Sequence, residues 1–253
     1  MKIDLTGKIA IITGAAGGLG QAESLAFAEA GATTILVDVK AQECATLVEK
    51  ITERGEMAHS MVCDLSSMDD ARNLIARVVE EFGGLDVLVN NAAAILNKPV
   101  TDYSIDEFEH IQRVNAHAAF VMSQAAAPLM KARGGGAIIN LCSNTLSGGW
   151  DNFVPYVMSK GALLGLTRSL ARELGPDNIR VNAISPGAIP TEAETRAFGD
   201  QLKEYEAFIL GRQSLKRRGT AEEIAGIILF LASDASAFIT GQNLVADGGF
   251  LMN

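Results

Sequence analysis

Tyr156 and Lys160 lie four residues apart, a spacing that places both side chains on one face of a helix. A free tyrosine has a pKa of about 10, so its phenol is a poor base at neutral pH. A lysine one helical turn away brings a positive charge that favours the phenolate. Such a pair could take the proton from an alcohol. Taken alone, it is also what many ordinary helix faces contain.

A glycine-rich segment, Thr13–Gly20, follows the apolar run Ile9–Thr13 and precedes an amphipathic stretch through Phe27. Glycines allow a tight turn and let a pyrophosphate approach the backbone, while the start of a helix offers free N–H groups and partial positive charge. The segment therefore predicts a phosphate-binding turn, with a purely structural turn as the alternative.

Asp38 ends the next apolar run and lies about 20 residues beyond the glycine segment. A carboxylate there accepts hydrogen bonds from the ribose hydroxyls of a dinucleotide and repels a 2′-phosphate. This predicts NAD as the cofactor rather than NADP. Lys40 is the nearby basic residue that could favour NADP instead.

Apolar runs and helical patterns alternate along the chain. We predict strands at Ile9–Thr13, Thr34–Asp38, Met57–Cys63, Val87–Asn90, Ala137–Leu141, Arg180–Ile184 and Gln242–Ala246. Helix starts of capping-box form are present at Ser104/Glu107, Thr191/Glu194 and Thr220/Glu223. This alternation predicts an α/β fold of the Rossmann type, doubly wound, with a mostly seven-stranded parallel sheet and helices on both faces. Residues 1–253 are expected to form one dinucleotide-binding domain with its own catalytic site.

Composition excludes several functions. The chain has 253 residues and a formal net charge of -9, which argues against nucleic-acid binding. The N-terminal segment has no apolar core and no apolar run approaches ~18 residues, so we expect neither a signal peptide nor a membrane span. Three dispersed cysteines indicate reduced thiols in a cytoplasmic protein. The histidines form no ligand pair, so no histidine-based metal site is predicted.

Several motifs occur in a fixed order: the spacing TGxxxGxG from Thr13, the run Asn90-Asn91-Ala92-Ala93, then Asn115, Ser143, Tyr156-x-x-x-Lys160 and Pro186-Gly187. In this order the set resembles the single-domain, NAD-preferring branch of the short-chain dehydrogenase/reductase family. The resemblance runs from Leu5 to Gly249 and so covers nearly the whole chain.

The resemblance implies a set of cofactor-binding residues. These are Gly14, Gly18, Leu19 and Gly20 at the pyrophosphate, Asp38 at the ribose, Asp64 and Leu65 at the adenine, Asn90 at the start of the family's NNAG motif, Pro186, Gly187, Ile189 and Thr191 towards the nicotinamide, and Tyr156 and Lys160. Ala93 departs from the family pattern, which has glycine there, and we expect a local backbone adjustment with φ below zero.

The resemblance also implies the catalytic set Ser143, Tyr156, Lys160 and Asn115. Ser143 precedes Tyr156 by thirteen residues, and it would orient the substrate oxygen. Asn115 would anchor a water that links Lys160 to solvent. The family's serine pair is Cys142-Ser143 here, so only the second position carries a hydroxyl.

Two segments are expected to form the substrate pocket: Asn144–Pro155, with Asn144, Trp150 and Phe153, and a lid over residues 191–218. The lid contains an apolar helical pattern that also suits simple packing on the core: Phe198, Leu202, Tyr205, Phe208 and Ile209.

The predicted activity interconverts a small-molecule secondary alcohol and its ketone. Two alternatives stay open. One is a 3-oxoacyl thioester reductase, for which Lys216, Arg217 and Arg218 could bind a phosphopantetheine arm. The other is an NAD-binding sensor without catalysis. The resemblance implies a homotetramer or homodimer, for which Ala116, Ala118 and Ala119 could provide a small-residue surface.

Overall fold

The computed structural model describes residues 3–252. The strands are β1 Ile9–Thr13, β2 Thr33–Asp38, β3 Ala58–Val62, β4 Val87–Asn90, β5 Gly136–Leu141, β6 Ile179–Pro186 and β7 Asn243–Ala246. They form one parallel sheet in the order β3-β2-β1-β4-β5-β6-β7, which confirms the predicted seven-stranded sheet. The strand order reverses between β1 and β4, so the crevice for a ligand lies beyond the carboxyl ends of these two strands.

Helices cover both faces of the sheet. They are α1 Gly18–Glu29, α2 Ala41–Thr52, α3 Met68–Phe82, α4 Ile105–Gln112, α5 Ala118–Ala132, α6 Thr145–Gly148, α7 Val154–Leu174, α8 Glu192–Phe198, α9 Leu202–Arg212 and α10 Ala221–Ala232. A π-helical turn, Arg113–His117, joins α4 to α5.

The sheet is buried on both sides, which explains why its strands are continuous Val- and Ile-rich runs. On one face, Phe27 of α1, Leu47 of α2 and Ile228 of α10 pack in one apolar cluster. On the other, Leu74 of α3 and Met122 of α5 belong to a second cluster. All of β1 is buried between the two layers, so the loop that follows it starts from a rigid base.

Two of the three predicted capping boxes are complete: Ser104 with Glu107 at α4, and Thr220 with Glu223 at α10. At α8 the box forms only in part. The Thr191 hydroxyl accepts the Glu194 N–H, but the Glu194 carboxylate turns away and accepts a hydrogen bond from the Arg218 guanidinium. A charged partner holds a carboxylate more strongly than an exposed backbone N–H does.

The small residues Ala116, Ala118 and Ala119 are buried within the chain, so they do not provide an exposed surface. These positions face the sheet or neighbouring helices, as helical periodicity requires of a covered face. The exposed apolar side chains of this region are Ile105 on α4, Phe120 on α5 and, on α7, Val154 and Met158.

Within residues 3–252, no helix combines the length and apolar character needed to cross a bilayer. The same residues contain no cluster of three or more His, Cys, Asp or Glu side chains placed to hold a metal ion. Cys44, Cys63 and Cys142 are buried and free.

Candidate active site

A cleft of about 380 Å³ lies at the carboxyl ends of the strands, at the crevice marked by the strand order. The loops after β1, β4, β5 and β6 line it, together with the first turns of α7 and with α8 and α9. Fifteen of the residues predicted for the site line it: Gly14, Gly18, Leu19, Gly20, Asp38, Ser143, Asn144, Trp150, Phe153, Tyr156, Lys160, Pro186, Gly187, Ile189 and Thr191.

The glycine turn forms one end of the cleft. Gly14 has a φ of +67°, and a Cβ there would lie 2.8 Å from the Ala92 Cα. A Cβ at Gly20 would collide with the Gly14 carbonyl oxygen. Helix α1 begins with Gly17 as an N-cap that makes no side-chain hydrogen bond, and its first turn carries no acidic residue. The free N–H groups of this first turn can therefore bind a pyrophosphate, which is what a dinucleotide site requires.

Asp38 lies beside this turn at the end of β2. Its carboxylate accepts hydrogen bonds from the Ala16 N–H and the Lys40 N–H, both at 3.1 Å. The Lys40 ammonium lies 4.0 Å from a Glu43 carboxylate oxygen and 3.8 Å from one of Glu192. Among the described residues, Lys40 is the cation near Asp38 that lines the cleft, and it already has two acidic neighbours.

The residues after β4 divide between the cleft and the interior. Asn91 lines the cleft, and its amide donates to the Thr13 carbonyl at 2.8 Å. Asn90, which we predicted at the cofactor, does not line the cleft; it donates to the Asn140 side chain at 2.8 Å inside the sheet. Asn90 is the last residue of β4 and bonds within the sheet, whereas Asn91 follows the strand and so lies at its carboxyl end, where the cleft is.

Ala93 also lines the cleft, at the position where the family pattern has glycine. Among the described residues, the non-glycine positions with positive φ are Asn152 and Asn178. Ala93 therefore has the negative φ that we expected, and its methyl group needs no left-handed backbone.

Asp64 and Leu65, predicted at the adenine, do not line the cleft. The Asp64 carboxylate accepts the Ser66 N–H at 2.8 Å, and this hydrogen bond holds the pKa of Asp64 below its usual value. The Leu65 side chain is buried in the core with Leu74 and Ile75.

Tyr156 and Lys160 share the first turns of α7, as their spacing predicts. The Lys160 Nζ lies 5.3 Å from the centre of the Tyr156 ring and donates a hydrogen bond to the Leu141 carbonyl at 2.6 Å. Burial lowers the pKa of Lys160 to about 8, so the ammonium keeps its charge at neutral pH. The bond to Leu141 fixes this charge at the end of β5 and beneath the phenol.

Ser143 reaches the same phenol from the loop after β5. Burial raises the pKa of Tyr156 to about 12, and a hydrogen bond with the Ser143 hydroxyl partly opposes that rise. The phenol is therefore a proton donor in this structure, and it becomes a base only when further positive charge lies beside it.

Asn115 lies in the π-helical turn and is buried, outside the cleft lining. Its carbonyl accepts the Ala94 N–H at 2.7 Å, and its amide donates to the Ser159 hydroxyl at 3.0 Å. Asn115 thus joins the loop after β4 to α7, which it contacts at Ser159, the residue before Lys160. π-Helical turns are frequent at functional sites because they expose backbone groups that a regular helix would pair.

Aromatic rings form the other end of the cleft. The Phe198 and Tyr205 rings stack with centres 3.7 Å apart, and Trp150 lies 5.9 Å from Tyr205. Phe153 lies between this group and Tyr156, with its ring centre 6.2 Å from that of Tyr156. Trp150 also stacks on Phe250 from the C-terminal segment, at 5.8 Å. The sequence pattern identified Tyr205 only as part of an apolar lid helix.

The fold and the Ser143, Tyr156 and Lys160 cluster define a class: dinucleotide-dependent oxidoreductases of the Rossmann type. Residues 14–251 match the family model described as Enoyl-(Acyl carrier protein) reductase. The chain belongs to the short-chain dehydrogenase/reductase family, which confirms the resemblance seen in the motifs.

Known proteins align over almost the whole chain. It is 38% identical to a protein named "Probable galactose dehydrogenase" from Rhizobium meliloti (strain 1021), over 97% of this chain and 96% of that one. It is 37% identical to 2-dehydro-3-deoxy-D-gluconate 5-dehydrogenase of Escherichia coli (strain K12), over 98% and 96%. Among solved structures, a gluconate 5-dehydrogenase from Burkholderia cenocepacia J2315 in complex with NADP and tartrate superposes with a TM-score of 0.92 at 33% identity, covering 98% of this chain and 97% of that chain.

Proposed function

We propose that this chain is an NAD-dependent oxidoreductase that interconverts a secondary alcohol and its ketone. The observation that carries the proposal is the convergence of Ser143, Tyr156 and Lys160 in one cleft with an uncapped helix N-terminus. The first three groups handle a proton, and the helix end can hold the phosphates of a dinucleotide.

The protein's part in the reaction is proton transfer and positioning. A bound NAD would supply the acceptor for the hydride that leaves the alcohol carbon. Ser143 holds the substrate oxygen beside Tyr156, and the phenolate of Tyr156 takes the hydroxyl proton. Lys160 stabilises that phenolate through its charge, and Asn115 holds the neighbouring loop in register with α7. Acid–base assistance of this kind contributes about 10²–10⁴-fold to a rate.

Asp38 supports NAD over NADP as the cofactor. Its carboxylate lines the cleft at the end of β2, where a 2′-phosphate would be repelled. Lys40 lies near two glutamates and so offers little net positive charge to a phosphate. The gluconate 5-dehydrogenase structure contains NADP, so the activity of this chain has to be compared directly with NAD and with NADP.

A coupled test addresses both parts of the proposal. A panel of secondary alcohols and ketones is assayed by absorbance of the reduced cofactor, with NAD and NADP in parallel. We expect turnover with NAD, a kcat/KM at least about tenfold lower with NADP, and a loss of about 10²–10⁴-fold in Tyr156→Phe with cofactor binding kept. Turnover by Tyr156→Phe at the wild-type rate would refute the catalytic assignment, and equal use of both cofactors would refute the role of Asp38.

A 3-oxoacyl thioester reductase is less well supported. The three basic residues that could hold a phosphopantetheine arm are occupied within the chain. Arg217 pairs with Glu223, Arg218 pairs with Glu194, and the Lys216 ammonium donates to backbone carbonyls. Tight NAD binding without turnover of any alcohol or ketone would favour the remaining alternative, a non-catalytic NAD sensor.

Assembly and compartment are further parts of the proposal. Exposed Ile105, Phe120 and Met158 near α4, α5 and α7 support a homodimer or homotetramer joined through these helices. Three buried, unpaired cysteines suit the reducing cytoplasm. Light scattering of the purified protein would test the assembly; a monomer at micromolar concentration would overturn it.

A further inference from the structure

We propose that Tyr205 and Glu194, on the lid of the cleft, recognise hydroxyl groups of the substrate, and that the substrate is a neutral polyhydroxylated ring such as a sugar or cyclic polyol. The inference rests on the proposed function, because it concerns the substrate end of the same cleft. It adds two specificity-determining residues to the catalytic set.

Tyr205 presents a phenol to the cleft from α9. Its ring is held by stacking on Phe198 and by a tilted contact with Trp150, so the hydroxyl is the group that remains available to a ligand. Within residues 3–252 this hydroxyl has no hydrogen-bond partner. Burial and the nearby Glu194 carboxylate raise the pKa of Tyr205, so the phenol stays a donor across the physiological range. It is also within electrostatic reach of Tyr156.

Glu194 supplies the complementary acceptor. It lines the cleft, and its side chain and that of Arg218 are only 10% and 12% exposed. The Arg218 Nη2 atom binds one carboxylate oxygen, Oε1, and the Arg218 Nε atom donates to the Ala188 carbonyl at 3.3 Å. Because each carboxylate oxygen can accept more than one hydrogen bond, the group retains capacity for a substrate hydroxyl.

The balance of charge selects the substrate class. Glu194 is already neutralised by Arg218, so this wall offers no net positive charge to a sugar acid. A purely apolar alcohol would give the Tyr205 phenol no hydrogen-bond partner and would leave the remaining acceptor capacity of Glu194 unused, which costs binding free energy. A hydroxylated ring suits both parts of the wall, because its C–H face can lie on the aromatic rings while its hydroxyls meet Tyr205 and Glu194.

The test compares substrates and variants together. Initial rates with NAD are measured for D-galactose, D-glucose, myo-inositol, D-gluconate and cyclohexanol. We expect at least one neutral polyol to exceed both D-gluconate and cyclohexanol in kcat/KM by about tenfold or more. Tyr205→Phe should raise KM for that polyol about 3–10-fold with little change in kcat, and leave KM for cyclohexanol unchanged.

Glu194→Gln provides a second variant, with an expected rise of about tenfold or more in polyol KM, since it removes a charged acceptor. Matched controls are Tyr103→Phe and Glu206→Gln, which change the same residue types outside the cleft lining. Thermal melting checks that Glu194→Gln folds after its bond to Arg218 is weakened; if it does not fold, Tyr205→Phe decides the question.

Polyol binding is also measured by calorimetry in Tyr156→Phe loaded with NAD, where turnover is blocked. Polyol binding that weakens when Tyr205→Phe is added supports the inference even if the wild type turns over no alcohol, which would refute only the proposed function. Efficient turnover of cyclohexanol or D-gluconate, with no preference for polyols and no effect of Tyr205→Phe, would refute the inference and leave the proposed function intact.

Discussion

The two ends of the cleft are built differently. At the end that we propose binds the cofactor (the cofactor end), the backbone provides most of the site, through the glycine turn and the start of α1, and one side-chain carboxylate, Asp38, completes it. At the end that we propose binds the substrate (the substrate end), the site is built from side chains of α8, α9 and the segment before α7, through aromatic stacking and the Glu194–Arg218 pair. The first end depends on strand ends that the sheet holds rigidly, whereas the second depends on side chains that meet only after folding.

This difference predicts how each end responds to mutation. A Cβ added at Gly14 or Gly20 has no room, because backbone atoms lie within 3 Å of its position. A side chain changed on the lid can be accommodated by neighbouring rings. Substitutions in the glycine turn should therefore abolish NAD binding, and those at the substrate end should change selectivity.

Gly20→Val should have the largest effect. The new Cβ would collide with the Gly14 carbonyl and lie 2.7 Å from the Ala15 Cα, so the turn must open. We expect NAD affinity to fall by about 100-fold or more, as several kcal/mol of strain enter the turn. Tryptophan fluorescence or calorimetry on NAD titration measures this.

Gly165→Ala on α7 is the matched control, because a Cβ there meets nothing within 4 Å. It should keep NAD affinity and stabilise the helix slightly, by about 0.5–1 kcal/mol. Wild-type affinity in Gly20→Val would show that the turn is softer than its packing indicates.

Glu23→Gln tests whether the buried side of α1, the helix of the cofactor end, excludes water; the readout is the pH dependence of the free energy of unfolding. Glu23 is buried in α1, neither carboxylate oxygen has a hydrogen-bond partner among residues 3–252, and burial raises the pKa of Glu23 from 4.5 to about 8. The folded state thus holds a proton that the unfolded state releases between these values. The free energy of unfolding of the wild type should therefore fall as pH rises from about 4.5 to about 8.

Glu23→Gln removes the contribution of this carboxyl to the pH dependence of stability. The free energy of unfolding of the variant should therefore increasingly exceed that of the wild type as pH rises, by on the order of 2–4 kcal/mol above pH 8. Urea unfolding at several pH values measures it. Glu29→Gln, at the exposed end of the same helix, should leave the pH dependence in place. Parallel curves for wild type and Glu23→Gln would mean that Glu23 is solvated in the folded protein.

Much of the fold and the cofactor end could be predicted from the sequence, because both follow from local rules. Apolar runs fixed the seven strands to within two residues, and the spacing of Tyr156 and Lys160 fixed their common helix face. Ser143 met them because β5 ends two residues earlier. Each of these features depends on residues that are close in sequence, within one element or just after one strand.

The remaining features depend on partners distant in sequence. Asn90 and Asn91 are identical in type, and only the sheet packing decides which one enters the cleft. Glu194 has the spacing of a capping residue, yet Arg218, twenty-four residues away, draws its carboxylate elsewhere. Tyr205 fits an apolar helix pattern equally well whether it packs on the core or lines the cleft.

Trp150→Phe should have a moderate effect confined to the substrate end. The indole N–H is buried without a hydrogen-bond partner in the described part of the chain, so its loss removes no bond. The ring contacts with Tyr205 and Phe250 lose area. We expect a change of about 2–5-fold in substrate KM and no change in NAD affinity. Equal losses at both ends would show that the aromatic cluster also holds the cofactor end together.

Ala93→Gly should have the smallest effect, although it restores the family's residue in the cleft. Ala93 has no positive φ, so glycine gains no conformation that alanine lacks. Its main effect is greater freedom of the unfolded chain, a cost of about 0.5–1 kcal/mol to stability. NAD affinity and kcat should stay within about twofold of the wild type, measured by calorimetry and steady-state rates. A large gain in either would mean that the methyl group crowds the bound nicotinamide, and that even the backbone-built end of the cleft carries a side-chain adjustment of its own.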